Sequence, residues 1–241
     1  MPDKRTHRGQ HPSDSTLFAE DKIPGIRRAV ADYSLLLSKG YAEKSSLKLV
    51  GDRFELTERQ RLAVMRSACP DEQRTNRKSR QLEINQIAGQ AIAIDGYNLL
   101  ITIEAAMSGG LIFKGQDGCY RDLASIHGTY HRVSETQPAI ELIGGFLKQI
   151  GIGGALWLLD SPVSNSGRLK TILGGLAKAN NWNWEIELVT SPDPVLIKSD
   201  KIVVSTDSVI LDKCGRWVAL AGEIIKNRLP AAKIIDLQNS P

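Results

Sequence analysis

Three aspartates each follow a short apolar segment that is typical of a β-strand. Asp95 follows residues 91–94, Asp160 follows residues 155–159, and Asp207 follows a strand-like segment that begins at residue 202. In an open parallel sheet the carboxyl ends of the strands meet at one edge, where ligands bind. Grouped carboxylates repel one another unless a cation neutralises them, and Mg²⁺ or Mn²⁺ prefers oxygen ligands. The three residues, with Asp212 five positions beyond Asp207, therefore predict a divalent-metal site.

Each of these aspartates also has a simpler explanation as a helix N-cap, a position at which Asp is favoured. Asp207 lies in Ser-Thr-Asp-Ser and suits that role. Three acids at corresponding strand ends, with polar neighbours, favour a shared site. The neighbours that carry hydroxyl or amide groups are Asn98, Ser161, Ser205 and Thr206.

Apolar strand segments alternate with helical segments after residue 88. Such alternation predicts an α/β fold with a buried parallel sheet and helices on both faces. We expect a parallel β-sheet of about five strands. The predicted strands lie near residues 91–95, 155–160, 184–189, 202–207 and 233–237. The predicted helices lie near residues 98–108, 136–150, 166–180, 207–213 and 217–228.

The part before residue 89 has a different pattern, without a convincing strand. Residues 1–16 are polar and are predicted to be a disordered tail. Residues 17–88 predict a domain of three or four helices, in which Gly40 ends one helix and Pro70 ends another. Thr57 followed by Gln60 is a capping-box signature that opens a helix at residue 58. Residues 89–241 form the predicted α/β domain.

Composition limits the classes of protein that the chain can represent. Of 241 residues, 41% are apolar and 24% are charged, as in globular proteins. No apolar run is long enough to span a membrane, and the first 30 residues lack a signal-peptide core, so we expect a cytoplasmic protein without membrane contact. The three cysteines include no CxxC pair, which argues against a disulfide framework and a structural zinc site.

Most of the excess positive charge lies in the N-terminal part. The net charge is +4, and the densest basic run spans residues 74–80, with Arg74, Arg77, Lys78 and Arg80. Such a run could contact a phosphate backbone. A solvated helix face is the alternative.

The glycine-rich connection over residues 109–134 is long for a compact domain, and connections of this length are usually functional. It is rich in functional side chains. Arg121 and Arg132 are candidates for binding a phosphate of the substrate, and His127 is a candidate proton donor. A surface helix with exposed polar side chains is the alternative.

Two local motifs resemble those of the PIN and NYN nuclease superfamily. Residues 94–100 read Ile-Asp-Gly-Tyr-Asn-Leu-Leu, an apolar strand followed by DGxN, and residues 204–210 contain the later S/T-x-D motif. Asp160-Ser161 matches the acid that follows the second strand in NYN-like members. The resemblance covers about residues 89–237 and implies that the predicted sheet is PIN-like (Rossmann-like). The whole chain also resembles an uncharacterised prokaryotic family that joins a helical domain of unknown function to a PIN-like domain.

The resemblance implies a ribonuclease that uses Mg²⁺ or Mn²⁺ to hydrolyse RNA phosphodiester bonds. Asp95 and Asp207 would be metal ligands, and Asp160 with Asp212 would complete the acidic set. Asn98 would bind a ligand carboxylate or the substrate phosphate, and Ser205 or Thr206 would support the ligands. The resemblance also implies that a homodimer is an option. A further helix-borne acid is expected, and four residues remain candidates for it: Glu104, Asp122, Glu135 and Glu141.

Two other functions are compatible with the same residues. One is a non-catalytic nucleic-acid-binding or regulatory module on the same fold, because members with incomplete sites only bind. The other is a metal-dependent phosphoesterase that acts on a small molecule.

Overall fold

The computed structural model describes residues 7–124 and 130–238, which contain two β-sheets. The strands are β1 (Gln81–Leu82), β2 (Ala91–Asp95), β3 (Leu111–Lys114), β4 (Tyr120–Arg121), β5 (Gly154–Asp160), β6 (Trp184–Val189), β7 (Ile202–Val204), β8 (Trp217–Val218) and β9 (Lys233–Asp236). The main sheet has the order β1-β8-β7-β2-β5-β6, and all its pairings are parallel. The smaller sheet has the order β4-β3-β9.

The order of the main sheet reverses at β2. The chain proceeds from β2 to β5 and β6 on one side, then returns to β7 and β8 on the other side. The carboxyl ends of β2 and β7 therefore lie at a topological switch point, where open α/β sheets bind ligands.

Helices cover both faces of the main sheet. The helices are α1 (Asp14–Leu17), α2 (Ile23–Ser38), α3 (Glu43–Arg53), α4 (Glu58–Ser67), α5 (Asp71–Arg80), α6 (Gly96–Met107), α7 (Thr136–Ile150), α8 (Ser166–Asn180), α9 (Pro192–Ile197), α10 (Ser208–Lys213) and α11 (Leu220–Arg228). Because side chains alternate along a strand, Ile92 and Ile94 pack in the core formed with α6, α7, α8 and α11. Ala93 packs on the opposite face with α9 and α10.

The helical region shares its core with the smaller sheet. Ile26 and Val30 of α2 and Val64 of α4 pack in one cluster with Phe113 of β3 and Leu237. The rings of Phe18 and Phe113 lie 5.0 Å apart in an edge-to-face arrangement. The glycine-rich connection over residues 109–134 is therefore partly a folded insertion, because its first half forms β3 and β4.

The structure confirms the α/β class, the mostly parallel sheet flanked by helices, and the helical N-terminal region. The bounds of α7 and α8 match their predictions. The prediction was wrong for residues 233–237, which form β9 in the smaller sheet. Trp217 and Val218, predicted as helix, form β8. The sequence analysis missed α9, a six-residue helix, and β1, which adds to the main sheet from the region that was predicted to be helical.

The N-terminal segment also differs from its prediction. Asp14 is buried and forms an ion pair with Arg59. Arg8 forms an ion pair with Glu104 and donates a hydrogen bond to the carbonyl of His131 (3.0 Å). Residues 7–16 are therefore packed on the fold, because buried carboxylates hold them there. The capping box is present: the backbone N–H of Thr57 donates to Gln60 Oε1 (3.0 Å), and the N–H of Gln60 donates to the Thr57 hydroxyl.

Candidate active site

Asp95 occupies the carboxyl end of the central strand β2 and is buried. The hydroxyl of Ser205 donates a hydrogen bond to Asp95 Oδ2 (2.9 Å). The pKa of Asp95 is raised to about 7 because burial disfavours the charged form, and the charges of Asp207 and Asp160 raise it further, against the opposing bond from Ser205. Asp95 is thus a carboxyl group that gains or loses its proton near neutral pH.

The loop after β7 is joined to the first turn of α6. The backbone N–H and the hydroxyl of Thr206 both donate to Asn98 Oδ1, at 2.9 and 3.0 Å. These bonds hold Asn98 beside the acidic residues and leave its Nδ2 group without a hydrogen-bond partner among the described residues. The predicted residues Asn98, Ser205 and Thr206 are therefore at the edge where the sequence analysis expected them.

Asp207 is a helix N-cap, which is the alternative role that the sequence suggested for it. Its Oδ1 accepts hydrogen bonds from the backbone N–H groups of Val209 (2.8 Å) and Ile210 (3.2 Å), and so caps α10. Its own N–H donates to the Ser205 hydroxyl (3.0 Å). The cap and the acidic site are compatible, because a carboxylate has two oxygens and the cap uses one of them.

Two further carboxylates extend this acidic edge. Burial raises the pKa of Asp160, and the charge of Asp193 raises it further. The pKa of Asp193, in the first turn of α9, is itself raised by partial burial and by the charge of Asp207. Asp95, Asp160, Asp193 and Asp207 are therefore linked by like-charge repulsion, and none of them forms an ion pair with a described residue.

Sequence reasoning missed Asp193. A signal was available, because Ser191-Pro192-Asp193 comes just after the third predicted strand. Ser followed by Pro is typical of a helix start, and a helix that starts there brings its first turn to the carboxyl edge. The short α9 has too few residues to show a helical period, so the segment was not recognised.

Tyr97 lies in the first turn of α6, and the centre of its ring is 5.3 Å from that of Tyr130. Its side chain is buried, and its hydroxyl has no hydrogen-bond partner among the described residues. Burial and the charge of Asp160 raise the pKa of Tyr97 to about 12. The phenol is therefore neutral at any physiological pH and can act only as a hydrogen-bonding group.

The carboxylate oxygens at this edge suit a hard divalent cation, although the described residues do not enclose one. Within residues 7–124 and 130–238, no three His, Cys, Asp or Glu side chains form a group that could hold a metal ion. Mg²⁺, however, is usually bound by one or two carboxylates together with waters and substrate phosphates. Four carboxylates with no cationic partner in the described part of the chain therefore fit a site that substrate completes, with Asp95 and Asp207 as the central pair.

The structure places Asp212, the fourth predicted ligand, away from this group. Its Oδ1 lies 2.6 Å from Nε of Arg77, with which it forms an ion pair. The prediction treated Asp212 as a ligand because of its distance along the chain from Asp207. The turn of α10 instead directs it towards α5, where a buried arginine neutralises it.

Arg121 does not have the substrate-binding position that was predicted for it. It is buried and paired through both terminal nitrogens with Asp117, at 2.9 and 2.6 Å. Its Nε donates to the carbonyl of Thr206 (2.8 Å). Arg121 thus supports the loop that carries Ser205 and Asp207 from behind.

Arg132 is exposed and lines a cavity of about 240 Å³ with Arg168 and Asn165. The loop of residues 161–165 leads from Asp160 to this cavity, and the N–H of Tyr130 bonds to the carbonyl of Ser164 (3.2 Å). The contact of Arg132 with a substrate phosphate stays a prediction. His127, the predicted proton donor, lies outside the described residues.

None of the four candidates for a helix-borne acid forms a hydrogen bond with Asp95 or raises its pKa, as far as the described residues show. Each has another partner in the described part of the chain. Glu104 is buried with Arg8, Tyr130 and Thr136; Asp122 accepts from Thr102; Glu135 contacts His7; and Glu141 accepts from Gln137. The acid that a helix does supply to the edge is Asp193.

Fold and site together define an α/β protein with carboxylates gathered at the switch point of a parallel sheet. Residues 84–223 match the family described as a domain of unknown function (DUF5616), and the chain belongs to that family. Residues 25–80 match a second family, described as a protein of unknown function (DUF434). An uncharacterised protein of Methanocaldococcus jannaschii is 31% identical over 186 residues, which cover 77% of this chain and 88% of the relative. No solved structure matches the chain. The described residues include no helix that is long and apolar enough to cross a membrane.

Proposed function

We propose that this protein is a divalent-metal-dependent ribonuclease that hydrolyses RNA phosphodiester bonds at the carboxyl edge of its main sheet. The observation that carries the proposal is the uncompensated acidic group at the switch point, where Asp95 titrates near neutral pH. A group of like charges at this position costs stability, so it indicates a function that needs the charges.

The residues have distinct tasks in this proposal. Asp95 and Asp207 would hold Mg²⁺ or Mn²⁺, which supplies an activated water and neutralises charge on the phosphate. Ser205 orients the Asp95 carboxylate through its hydrogen bond. Asn98, fixed through its Oδ1, presents its Nδ2 group to a phosphate oxygen. Asp160 and Asp193 would add negative potential that attracts the cation.

The first experiment is cleavage of an unstructured, mixed-sequence RNA with Mn²⁺, Mg²⁺ or EDTA. We expect cleavage by the wild type with either metal, none with EDTA, and at least a 100-fold slower rate for Asp95→Asn and for Asp207→Asn. The matched control is Asp200→Asn, because Asp200 is exposed and precedes β7, at the opposite edge of the sheet. Its rate should equal that of the wild type.

Three results would contradict the proposal in different ways. Cleavage that survives EDTA or both substitutions would show that this acidic group is not the site. Turnover of small phosphoesters without RNA cleavage would indicate a phosphoesterase. RNA binding without cleavage, and without heat on calorimetric titration with Mn²⁺, would indicate a non-catalytic module, which the absence of a metal-enclosing group in the described part of the chain favours.

A further inference from the structure

A cavity of about 610 Å³ lies between the helical region and the acidic edge. One wall comes from the helical region and includes Tyr41, Met65 and Gln73. The opposite wall comes from the α/β region and includes Asn98, Thr206 and Val209. The volume is in the range of about 300–1,000 Å³ that is usual for small-molecule sites.

The cavity is continuous with the candidate active site. Asn98, Thr206 and Asp207 belong both to the acidic edge and to the cavity wall. A molecule whose phosphate is held by a cation at Asp95 and Asp207 would therefore extend into this cavity with its next unit.

Exposed apolar side chains flank the cavity on both sides. Tyr41 is 63% exposed, Met65 44% and Val209 51%, and each is among the large apolar residues that the fold leaves in contact with water. Exposed apolar side chains around one concave site indicate a bound group with an apolar face. An exposed tyrosine ring offers a flat surface on which a base can stack.

The polar groups of the cavity suit a base or a ribose better than a phosphate. The two buried arginines of the wall, Arg77 and Arg121, are already paired with Asp117. The side-chain amide of Gln73, by contrast, has no hydrogen-bond partner among the described residues and can both donate and accept. A free amide matches the paired donors and acceptors of a base edge, and arginines that are already neutralised add little attraction for a phosphate.

We propose that this cavity binds the base and ribose of an unpaired nucleotide next to the scissile phosphate, with the base stacked on Tyr41. The inference rests on the proposed function and extends it, because it gives the helical region a direct part in substrate binding. It also predicts that the substrate strand is unpaired at that position, since a base within a duplex could not enter the cavity.

The test measures binding separately from cleavage. The probe is a fluorescein-labelled, unstructured 12-nucleotide RNA, and its anisotropy is followed in EDTA for the wild type, Tyr41→Ala and Tyr41→Phe. We expect Tyr41→Ala to weaken binding about tenfold or more, as loss of one base–aromatic stack does, and Tyr41→Phe to bind like the wild type. The dependence of affinity on salt should keep the same slope, because no phosphate contact is lost.

The matched control is Leu49→Ala, since Leu49 is equally exposed on α3 but does not line the cavity. Met65→Glu, which adds a charge to the wall beside Tyr41, should weaken binding as well. Thermal melting checks that each variant is folded.

Equal affinity for the wild type and Tyr41→Ala would overturn the inference, and so would a failure of the wild type to bind the RNA. In either case the metal-dependent cleavage assay, with Asp95→Asn as its reference, still decides the proposed function by itself. An altered salt slope for Tyr41→Ala would also contradict the inference, because the residue would then act through phosphate contacts.

Discussion

The fold disfavours the charged carboxylate form of Asp95. Its pKa of about 7 lies well above that of an exposed aspartate, mainly because it is buried and also because Asp207 and Asp160 are near. The folded protein therefore binds a proton at Asp95 that the unfolded chain releases. This contribution to stability is complete below about pH 4 and is lost as the pH rises through 7.

Asp95→Asn should make the protein more stable at pH 8, by up to about 4 kcal/mol. The amide keeps the shape and still accepts from Ser205, but it carries no charge to repel the neighbouring acids. Urea denaturation at pH 5 and pH 8 checks the prediction. The gain should shrink at pH 5, where Asp95 is already protonated, and a gain of the same size at both pH values would contradict it.

The helix α5 joins the helical region to the back of the site. Arg77 is buried, with Nη1 2.5 Å from Asp117 and Nε 2.6 Å from Asp212. Arg80 donates to the carbonyls of Leu211 (2.9 Å) and Asp212 (3.3 Å) and so satisfies the C-terminal end of α10. The sequence left two interpretations of the basic run, a phosphate contact and a solvated helix face. Neither describes Arg77 or Arg80, because both side chains bind other parts of the protein.

Arg77→Ala should destabilise the protein by about 3–5 kcal/mol, as the loss of one partner from a buried ion pair does. Burial alone would raise the pKa of Asp117, but the charges of Arg121 and Arg77 hold this pKa well below its usual range. That stabilisation is present above about pH 4 and is lost as the pH falls. The loss caused by Arg77→Ala, measured by urea denaturation, should therefore be larger at pH 7 than at pH 3.

Arg74→Ala is the matched control for this measurement. Arg74 lies on the same helix, is exposed and pairs only with Asp71, three residues away (2.8 Å). Exposed pairs of this kind contribute about 0–1 kcal/mol. A similar loss for Arg74→Ala and Arg77→Ala would show that the charge of α5, rather than its buried ion pairs, stabilises the fold.

At the scale of the molecule, the helical and α/β regions share one of the three apolar clusters of the described residues. Phe113 and Leu237 of the α/β part complete the core of α2 and α4. Removal of the helical region would expose these side chains, and removal of the smaller sheet would open the helical core. We therefore expect the two regions to unfold together.

The tryptophans allow a direct test of this coupling. All four (Trp157, Trp182, Trp184 and Trp217) lie in the α/β region, but Trp217 donates to the carbonyl of Arg77 in α5 (2.8 Å). The measurement therefore uses a Trp217→Phe background, in which the other three report on the α/β region. Ile26→Ala, in the core of α2, should cost about 2–5 kcal/mol and should lower the urea midpoint of tryptophan fluorescence and of far-ultraviolet circular dichroism equally. Leu35→Ala, on the exposed face of the same helix, should change neither by much. An unchanged fluorescence midpoint for Ile26→Ala would show that the regions unfold independently.

The sequence by itself determined the features that local periodicity and chain order encode. Alternating apolar strands and amphipathic helices predicted the α/β class and the bounds of α7 and α8. Because parallel strands place their carboxyl ends at one edge, the same pattern was enough to bring Asp95, Asp160 and Asp207 to the edge that the structure shows. The capping box at Thr57 followed from side-chain chemistry within four residues.

Only the tertiary structure decided which distant groups meet. β9 looks like the other apolar strands, yet it pairs with β3, because pairing depends on a whole surface rather than on one segment. Asp212 and Arg121 looked like site residues until their buried partners, Arg77 and Asp117, came into contact with them from other parts of the chain. Asp193 joined the acidic edge through a helix too short to show a period. The energies of burial and ion pairing that separate these outcomes arise between residues far apart in sequence, and local patterns do not contain them.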